Sequence, residues 1–246
     1  MSATGLPQRP PGQDNVIVPN GNESEPLLGR PGDAAQPRRG SIFWNLIIGT
    51  AAITQFGAIL LFIMIWVAVF TKPVTLFSGH PLLQATGVLV LIQSILSVQP
   101  THTADQKRIG QRVHASLNLL ALLCLIGGVT IIEYNKIVNH NDHFHSVHGY
   151  LGVITSISLA LQYLVGFTMW AVPSLYGGVD NAKSLYKYHR WSGYIILVLL
   201  LVTVITATQT EFNLNVLGLK LWATILLSIL ILTGTLPRIQ KQKLGI

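Results

Sequence analysis

The chain of 246 residues is 50% hydrophobic and only 10% charged, with a mean hydropathy of +0.51. A water-soluble domain rarely has that balance, so we expect an integral membrane protein. The net charge of +7 does not indicate nucleic-acid binding, because no basic groove with interleaved aromatic residues accompanies it. The single cysteine, Cys124, excludes an internal disulfide and a cysteine-ligated metal cluster.

The first 40 residues contain seven of the twelve prolines and no apolar periodicity, which predicts a disordered tail. Residues 23–28 have the form of an acidic dileucine sorting signal, which would direct the protein to a vacuole, a lysosome or another endomembrane. A chance match in a low-complexity tail is an equally open interpretation. We expect a tail at 1–40, a membrane domain at 41–238 and a short tail at 239–246.

Six apolar runs follow the tail, and each reaches the roughly 20 residues that a helix needs to span a bilayer. They predict an all-α, integral membrane six-helix bundle with short connections, in which sequence neighbours are antiparallel. The predicted spans are 43–70, 76–97, 111–132, 147–171, 188–208 and 216–236.

The basic residues are distributed unevenly between the two ends of these spans. If the N-terminus is cytosolic, thirteen lysines and arginines lie on the cytosolic side and three, Lys72, Lys136 and Lys220, on the other. This bias predicts that both termini are cytosolic. The sequon at Asn22 should then carry no glycan.

Four of the eight histidines lie near the start of four consecutive spans: His80, His114, His148 and His189. Because successive helices alternate in direction, His80 and His148 should lie in the outer layer of the membrane, and His114 and His189 in the inner layer. Ionisable residues inside spans are costly and are often functional. Two histidines per layer are too few ligands for zinc, but haem iron needs only two axial imidazoles. The four central helices are therefore expected to bind two b-type haems.

Neighbouring residues are compatible with a flat macrocycle. Gly152 and Gly193 each follow a histidine by four residues and could make room for a ring edge, although membrane helices also use glycine for ordinary close packing. Arg112 and Arg190 lie beside the inner histidines and could pair with haem propionates, or could simply reflect the positive-inside rule.

Several segments together resemble the cytochrome b-561 family, specifically its compact ascorbate-dependent transmembrane reductase branch. These segments are LFSGHP at 76–81, Lys107 with HASLN at 114–118, HFHSVHG at 143–149 and YKYHRWSGY at 186–194. The resemblance covers about residues 43–236. It implies six helices, often in a homodimer, with two haem b groups held by the pairs His80/His148 and His114/His189.

The resemblance also implies an oxidoreductase that takes electrons from cytosolic ascorbate. The implied acceptor on the opposite side is monodehydroascorbate or a ferric chelate. Lys107, Arg108 and Arg112 occupy the region where the family binds ascorbate, in the loop between the second and third helices. His143 and Ser146 stand where the family places a histidine and a serine on the acceptor side.

Two other functions remain open from the sequence. One is a haem electron carrier with a different donor. Ferric reductases and quinol-oxidising carriers stack two ligands on each helix, however, and no span here has two such histidines. The other is a metal transporter that uses the loop histidines His140, His143 and His145 together with His148.

Overall fold

The computed structural model describes residues 33–245, and those residues form helices and turns without strands. Six helices are long and apolar enough to cross a membrane, which confirms the predicted all-α six-helix architecture. Their bounds are α1 Ala51–Phe70, α2 Gly79–Val98, α3 Ala104–Val138, α4 Val147–Ala171, α5 Val179–Ala207 and α6 Leu221–Thr235. The dileucine-like residues 23–28 and Asn22 lie outside the described part of the chain.

Several helix ends differ from the predicted spans. The first helix starts at Ala51 and not at 43, since residues Ile42–Leu46 form a separate 3-10 turn and Gly49 has a positive φ of 59°. The fifth helix begins nine residues earlier than predicted, directly after a turn in which Gly177 and Gly178 both have positive φ. Hydropathy locates the lipid-embedded part of a helix, whereas glycine conformations and caps decide where the helix starts.

The third helix is the longest, and it begins at Ala104 rather than at 111. Its start is fixed by a capping box: the Gln106 backbone N–H donates to Thr103 Oγ1 at 3.2 Å, and the Thr103 N–H donates to Gln106 Oε1 at 3.3 Å. The polar first two turns therefore stay helical beyond the apolar run. Lys107, Arg108 and Arg112 consequently lie on α3 and not in a loop, which corrects the predicted placement.

The core lies among α1, α2, α5 and α6 and consists of buried aliphatic side chains such as Leu61, Ile92, Leu201 and Ile231. Small residues allow close crossings: a Cβ added at Gly57 of α1 would lie 2.9 Å from the Leu227 carbonyl oxygen of α6. Apolar side chains on the outer faces of the helices are widely exposed, as expected for lipid contact.

Two antiparallel pairs, α2 with α3 and α4 with α5, make up the rest of the bundle. Each helix packs far more closely on its pair mate than α2 does on α4 or α3 on α5. The space between these two pairs is where the four predicted histidines face each other.

The two chain ends described here meet at the inner end of the bundle, the end that carries the start of α1. The Gln36 N–H donates to the Pro100 carbonyl at 2.9 Å, so part of the predicted tail packs against the α2–α3 turn. Lys243 Nζ donates to the Thr101 carbonyl at 2.7 Å. Buried Arg238 donates to the Asn45 carbonyl at 2.8 Å. The C-terminal segment thus closes over the inner ends of the helices.

Candidate functional site: two histidine pairs

The outer pair is formed by His80 at the start of α2 and His148 at the start of α4. Their ring centres are 6.2 Å apart and their planes are inclined by 80°. His80 Nδ1–H donates to the Gly128 carbonyl of α3 at 2.8 Å, and His148 Nδ1–H donates to the Thr203 carbonyl of α5 at 2.9 Å. A carbonyl can only accept, so these contacts fix the proton on Nδ1 and leave Nε2 of each ring as a free ligand atom.

The inner pair, His114 on α3 and His189 on α5, has nearly the same geometry. The ring centres are 6.4 Å apart, and the planes are inclined by 83°. His114 Nδ1 lies 2.8 Å from Ser94 Oγ and 3.1 Å from the Ser94 carbonyl oxygen of α2. His189 differs, because its buried Nδ1 has no hydrogen-bond partner within residues 33–245. Instead, Gln162 Nε2 of α4 donates to the His189 backbone carbonyl at 2.7 Å.

These contacts follow a common register. On each of the four helices, the residue fourteen positions after the histidine contacts the histidine of the helix it is paired with, α2 with α3 or α4 with α5. The four helices carry His80 and Ser94, His114 and Gly128, His148 and Gln162, and His189 and Thr203. Fourteen residues rise about 21 Å at about 1.5 Å per residue, which gives the separation of the two layers along each helix.

Both pairs have the dimensions that a metal with two axial imidazoles requires. Two metal–nitrogen bonds of about 2 Å, together with the radii of the two rings, place the ring centres about 6 Å apart. The separations of 6.2 and 6.4 Å match this value. Because only two ligands from residues 33–245 converge in each layer, the group that fits must supply its own equatorial ligands, as a porphyrin does. The residues present therefore fit a haem in each layer.

The glycines near the histidine pairs differ in what surrounds them. A Cβ at the predicted Gly152 would meet no atom within 4 Å, and one at Gly193 would lie 3.1 Å from Gln162 Nε2. The closest approach of a glycine to a paired histidine ring occurs at Gly166 on α4, which was not among the predicted site residues. A Cβ there would lie 2.6 Å from His189 Cε1, so any side chain at position 166 would displace the His189 ring.

The predicted cations gather at the inner end of the bundle but have different surroundings. Arg108 pairs with Asp105 at 2.7 Å, and both side chains are exposed. Arg190 Nη1 donates to the Lys243 carbonyl at 2.6 Å, so the C-terminal segment holds this arginine next to His189. Arg112, two residues before His114, is exposed, and Lys107 is partly buried on the first turn of α3. The inner histidine layer therefore faces a cationic surface.

At the outer end, His143 Nδ1 lies 3.1 Å from Glu133 Oε2, which joins the α3–α4 loop to the last turns of α3. Ser146 caps α4, since its Oγ accepts the Gly149 N–H at 3.1 Å. Within residues 33–245, no three His, Cys, Asp or Glu side chains are placed to hold one metal ion. The loop histidines therefore give no structural support to the metal-transporter alternative.

Six helices long enough to span a bilayer, with two facing histidine pairs between them, define a multi-pass membrane protein of the cytochrome type. The sequence model of the eukaryotic cytochrome b561 family matches residues 79–213, a range that contains all four paired histidines. The chain belongs to the cytochrome b561 family, and membership implies that it binds haem.

Three relatives illustrate the similarity. The lysosomal membrane ascorbate-dependent ferrireductase CYB561A3 of Danio rerio is 30% identical over 138 residues, 55% of each chain. The plasma membrane ascorbate-dependent reductase CYBRD1 of Mus musculus is 30% identical over 177 residues, 66% of this chain and 58% of that protein. The transmembrane ascorbate-dependent reductase CYB561 of Homo sapiens is 26% identical over 144 residues, 58% of this chain and 56% of that protein. The matches thus span a little over half the length of each relative.

Proposed function

We propose that the protein carries electrons across a membrane through two b-type haems, one held by His80 and His148 and the other by His114 and His189. Cytosolic ascorbate is the proposed donor. Monodehydroascorbate or a ferric chelate on the opposite side is the proposed acceptor. The relatives described above are all named as ascorbate-dependent reductases, and one is named as a ferrireductase, which supports this assignment.

The observation that carries the proposal is the pair of nearly identical bis-histidine arrangements, with ring centres 6.2 and 6.4 Å apart. A haem held by each pair would supply one-electron redox chemistry within a membrane that otherwise blocks electron flow. The protein's own residues orient the ligands. Gly128, Thr203 and Ser94 hold three of the rings by Nδ1, and Gly166 leaves room for the fourth.

The inner surface is the proposed donor side. Ascorbate is an anion at neutral pH, and the cations around His114 and His189 would raise its local concentration. We assign this role to Lys107, Arg108 and Arg112, with Arg190 beside the ligand His189. Arg112 and Arg190 are also the proposed partners of the haem propionates. This orientation places both chain termini in the cytosol, in agreement with the positive-inside bias.

The outer surface is the proposed acceptor side, where His143 and Ser146 lie near the start of α4. His143 lies five residues before the outer ligand His148, and its Nδ1 lies 3.1 Å from Glu133 Oε2, a contact between this loop and α3. We propose a lysosomal, vacuolar or related endomembrane location. The lysosomal name of the Danio rerio relative and the acidic dileucine form of residues 23–28 support it.

The test is an absorption spectrum of the purified protein together with a haem count. Reduction by dithionite should produce a b-type α band and two haems per chain, and ascorbate should reproduce most of that band. Vesicles that contain the protein, loaded with ascorbate on the side of the termini, should reduce an external ferric chelate. A haem-containing protein that ascorbate leaves oxidised would favour the alternative, an electron carrier with another donor. The absence of a haem band would contradict the proposal itself.

A further inference from the structure

The four ligand histidines are not held in the same way. Within the described part of the chain, two rings contact only a backbone carbonyl at Nδ1, one has no partner there, and only His114 contacts a side chain in addition to a backbone carbonyl. That side chain is Ser94, which is fully buried in α2 at the depth of the inner pair. Backbone carbonyls cannot change with sequence, so Ser94 is a point at which sequence can tune one redox centre and leave the other unchanged.

Ser94 is itself held by a closed set of hydrogen bonds. Its Oγ–H donates to the His114 carbonyl at 3.0 Å, and its oxygen accepts from Asn118 Nδ2 at 2.6 Å and from His114 Nδ1–H at 2.8 Å. Asn118, one turn after His114 on α3, also donates to the His114 carbonyl at 2.8 Å. His114 Nδ1 also lies 3.1 Å from the Ser94 carbonyl oxygen, which can only accept, so His114 carries its proton on Nδ1 and shares it between this carbonyl and Ser94 Oγ.

We propose that Ser94 and Asn118 are positioning residues that set the ring orientation and the reduction potential of the inner centre through His114. The inference rests on the proposed function. A hydrogen bond accepted from Nδ1–H increases the basicity of Nε2, and a more basic axial ligand favours the oxidised metal. The same bond limits rotation of the imidazole, which maintains the 83° angle between the two ligand planes.

Matched serine variants test this role. Ser94→Ala removes the hydroxyl at His114 and leaves the backbone carbonyl of residue 94 as the acceptor for Nδ1–H. Ser228→Ala removes a hydroxyl that is equally buried in α6, where it donates only to the Thr224 carbonyl of its own helix. The measurements are the haem count, the midpoint potential of each centre by spectroelectrochemical titration, and the low-spin EPR signals, which depend on the angle between the ligand planes. The inner centre is identified as the component that His114→Ala removes.

We expect Ser94→Ala to raise the potential of the inner centre and change its EPR signal. Loss of a supporting residue typically weakens metal binding by about 10- to 100-fold, and a tenfold loss confined to the oxidised form would raise the ferrous-to-ferric ratio about tenfold at a fixed applied potential. Ser228→Ala should leave both centres unchanged, and Ser94→Thr, which keeps the hydroxyl, should restore the wild-type potential. If the Ser94→Ala protein does not fold, the same measurements are made on Asn118→Ala, which should shift the inner centre in the same direction. The Asn118 side chain is only partly buried, so its loss should disturb folding less.

Wild-type potentials and EPR signals for both centres in Ser94→Ala and Asn118→Ala would overturn the inference. An equal shift of both centres would overturn it as well, since a general loosening of the bundle would then be the cause. A wild-type protein without haem would refute the proposed function instead, so the two failures are distinguishable.

Discussion

The helix pairs α2–α3 and α4–α5 have the same design but differ in how firmly they hold their histidines. In α2–α3, both rings donate from Nδ1 to the opposite helix of the pair, His80 to Gly128 and His114 to Ser94. In α4–α5, His148 does so, but His189 is held only through its backbone carbonyl. Of the six spans, α2 is the most buried and α4 the least.

The difference shows how each layer of the site is assembled. Each histidine pair joins one ligand from the firm α2–α3 pair to one ligand from the more exposed α4–α5 pair. Because the direct contacts across this gap are few, a haem that binds both rings would itself connect the two helix pairs. Haem binding should therefore stabilise the bundle as well as supply its chemistry, and changes in either pair should affect a haem shared by both.

Loss of a ligand histidine should have the largest effect. His80→Ala and His148→Ala should each remove the outer haem, and His114→Ala and His189→Ala the inner one, so that the haem content falls to about half. The measurement is a haem count with resolved reduced spectra, and His145→Ala in the exposed loop is the control. If His80→Ala and His114→Ala depleted the same spectral component, the pairing across the two helix pairs would be wrong.

A side chain at Gly166 should act almost as strongly, and only on the inner layer. Gly166→Val would occupy the position of the His189 ring, and relief of such overlap typically costs about 1–3 kcal/mol. His189 has no Nδ1 hydrogen bond to resist displacement, so we expect loss of the inner haem. Ala160→Val, on an exposed position of the same helix, is the matched control. An unchanged haem count in Gly166→Val would mean that His189 does not need this space.

Much of this arrangement can be predicted from sequence, and the exceptions have physical causes. The spans and the four histidines follow from hydropathy and from the cost of ionisable groups in lipid. Ser94 and Gln162 also lie fourteen residues from a histidine, so the register was accessible to a search for that spacing. The roles of Gly128 and Thr203 were not, because they contribute backbone carbonyls, which every residue has.

Close approach is also invisible in a single sequence. Gly152, Gly193 and Gly166 are all glycines on helix faces, and only the packing shows that Gly166 touches a histidine ring. The placement of Lys107 and Arg108 on a helix depended on the capping box at Thr103 and Gln106, which lies outside the apolar run. The roles of the predicted site residues in haem, donor and acceptor binding stay predictions.

Both α3 and α5 carry cations on the proposed donor side, and variants can show which of the two helices attracts ascorbate. Lys107→Ala combined with Arg108→Ala should slow reduction by ascorbate about tenfold at low salt, because the local cationic field on α3 is lost. The difference should shrink near 1 M salt, where the screening length is about 3 Å. Stopped-flow reduction by ascorbate measures both rates. Asp105→Asn, which removes the carboxylate paired with Arg108, should instead speed reduction by ascorbate. Unchanged kinetics in the double variant would move donor entry to the α5 side, where the C-terminal segment holds Arg190.

The smallest effect is expected at Gln162, which occupies on α4 the position that Ser94 occupies on α2. Gln162 Nε2 donates to the His189 carbonyl, and its Oε1 accepts from Ser192 Oγ at 2.8 Å, but neither contact involves the imidazole. Gln162→Leu should therefore cost about 1 kcal/mol of stability for each lost hydrogen bond. Because the electronic character of the ring is untouched, the inner potential should hardly change.

Thermal unfolding of the haem-loaded protein and spectroelectrochemical titration give these two quantities for Gln162→Leu, with Ser94→Ala measured in parallel. We expect a lower unfolding temperature for Gln162→Leu and a shifted inner potential for Ser94→Ala. A potential shift in Gln162→Leu as large as that in Ser94→Ala would show that contact with the ring nitrogen is not what distinguishes α2–α3 from α4–α5. Any contact from the residue fourteen positions away would then affect the potential of the inner centre, whether or not it reaches the ring nitrogen Nδ1.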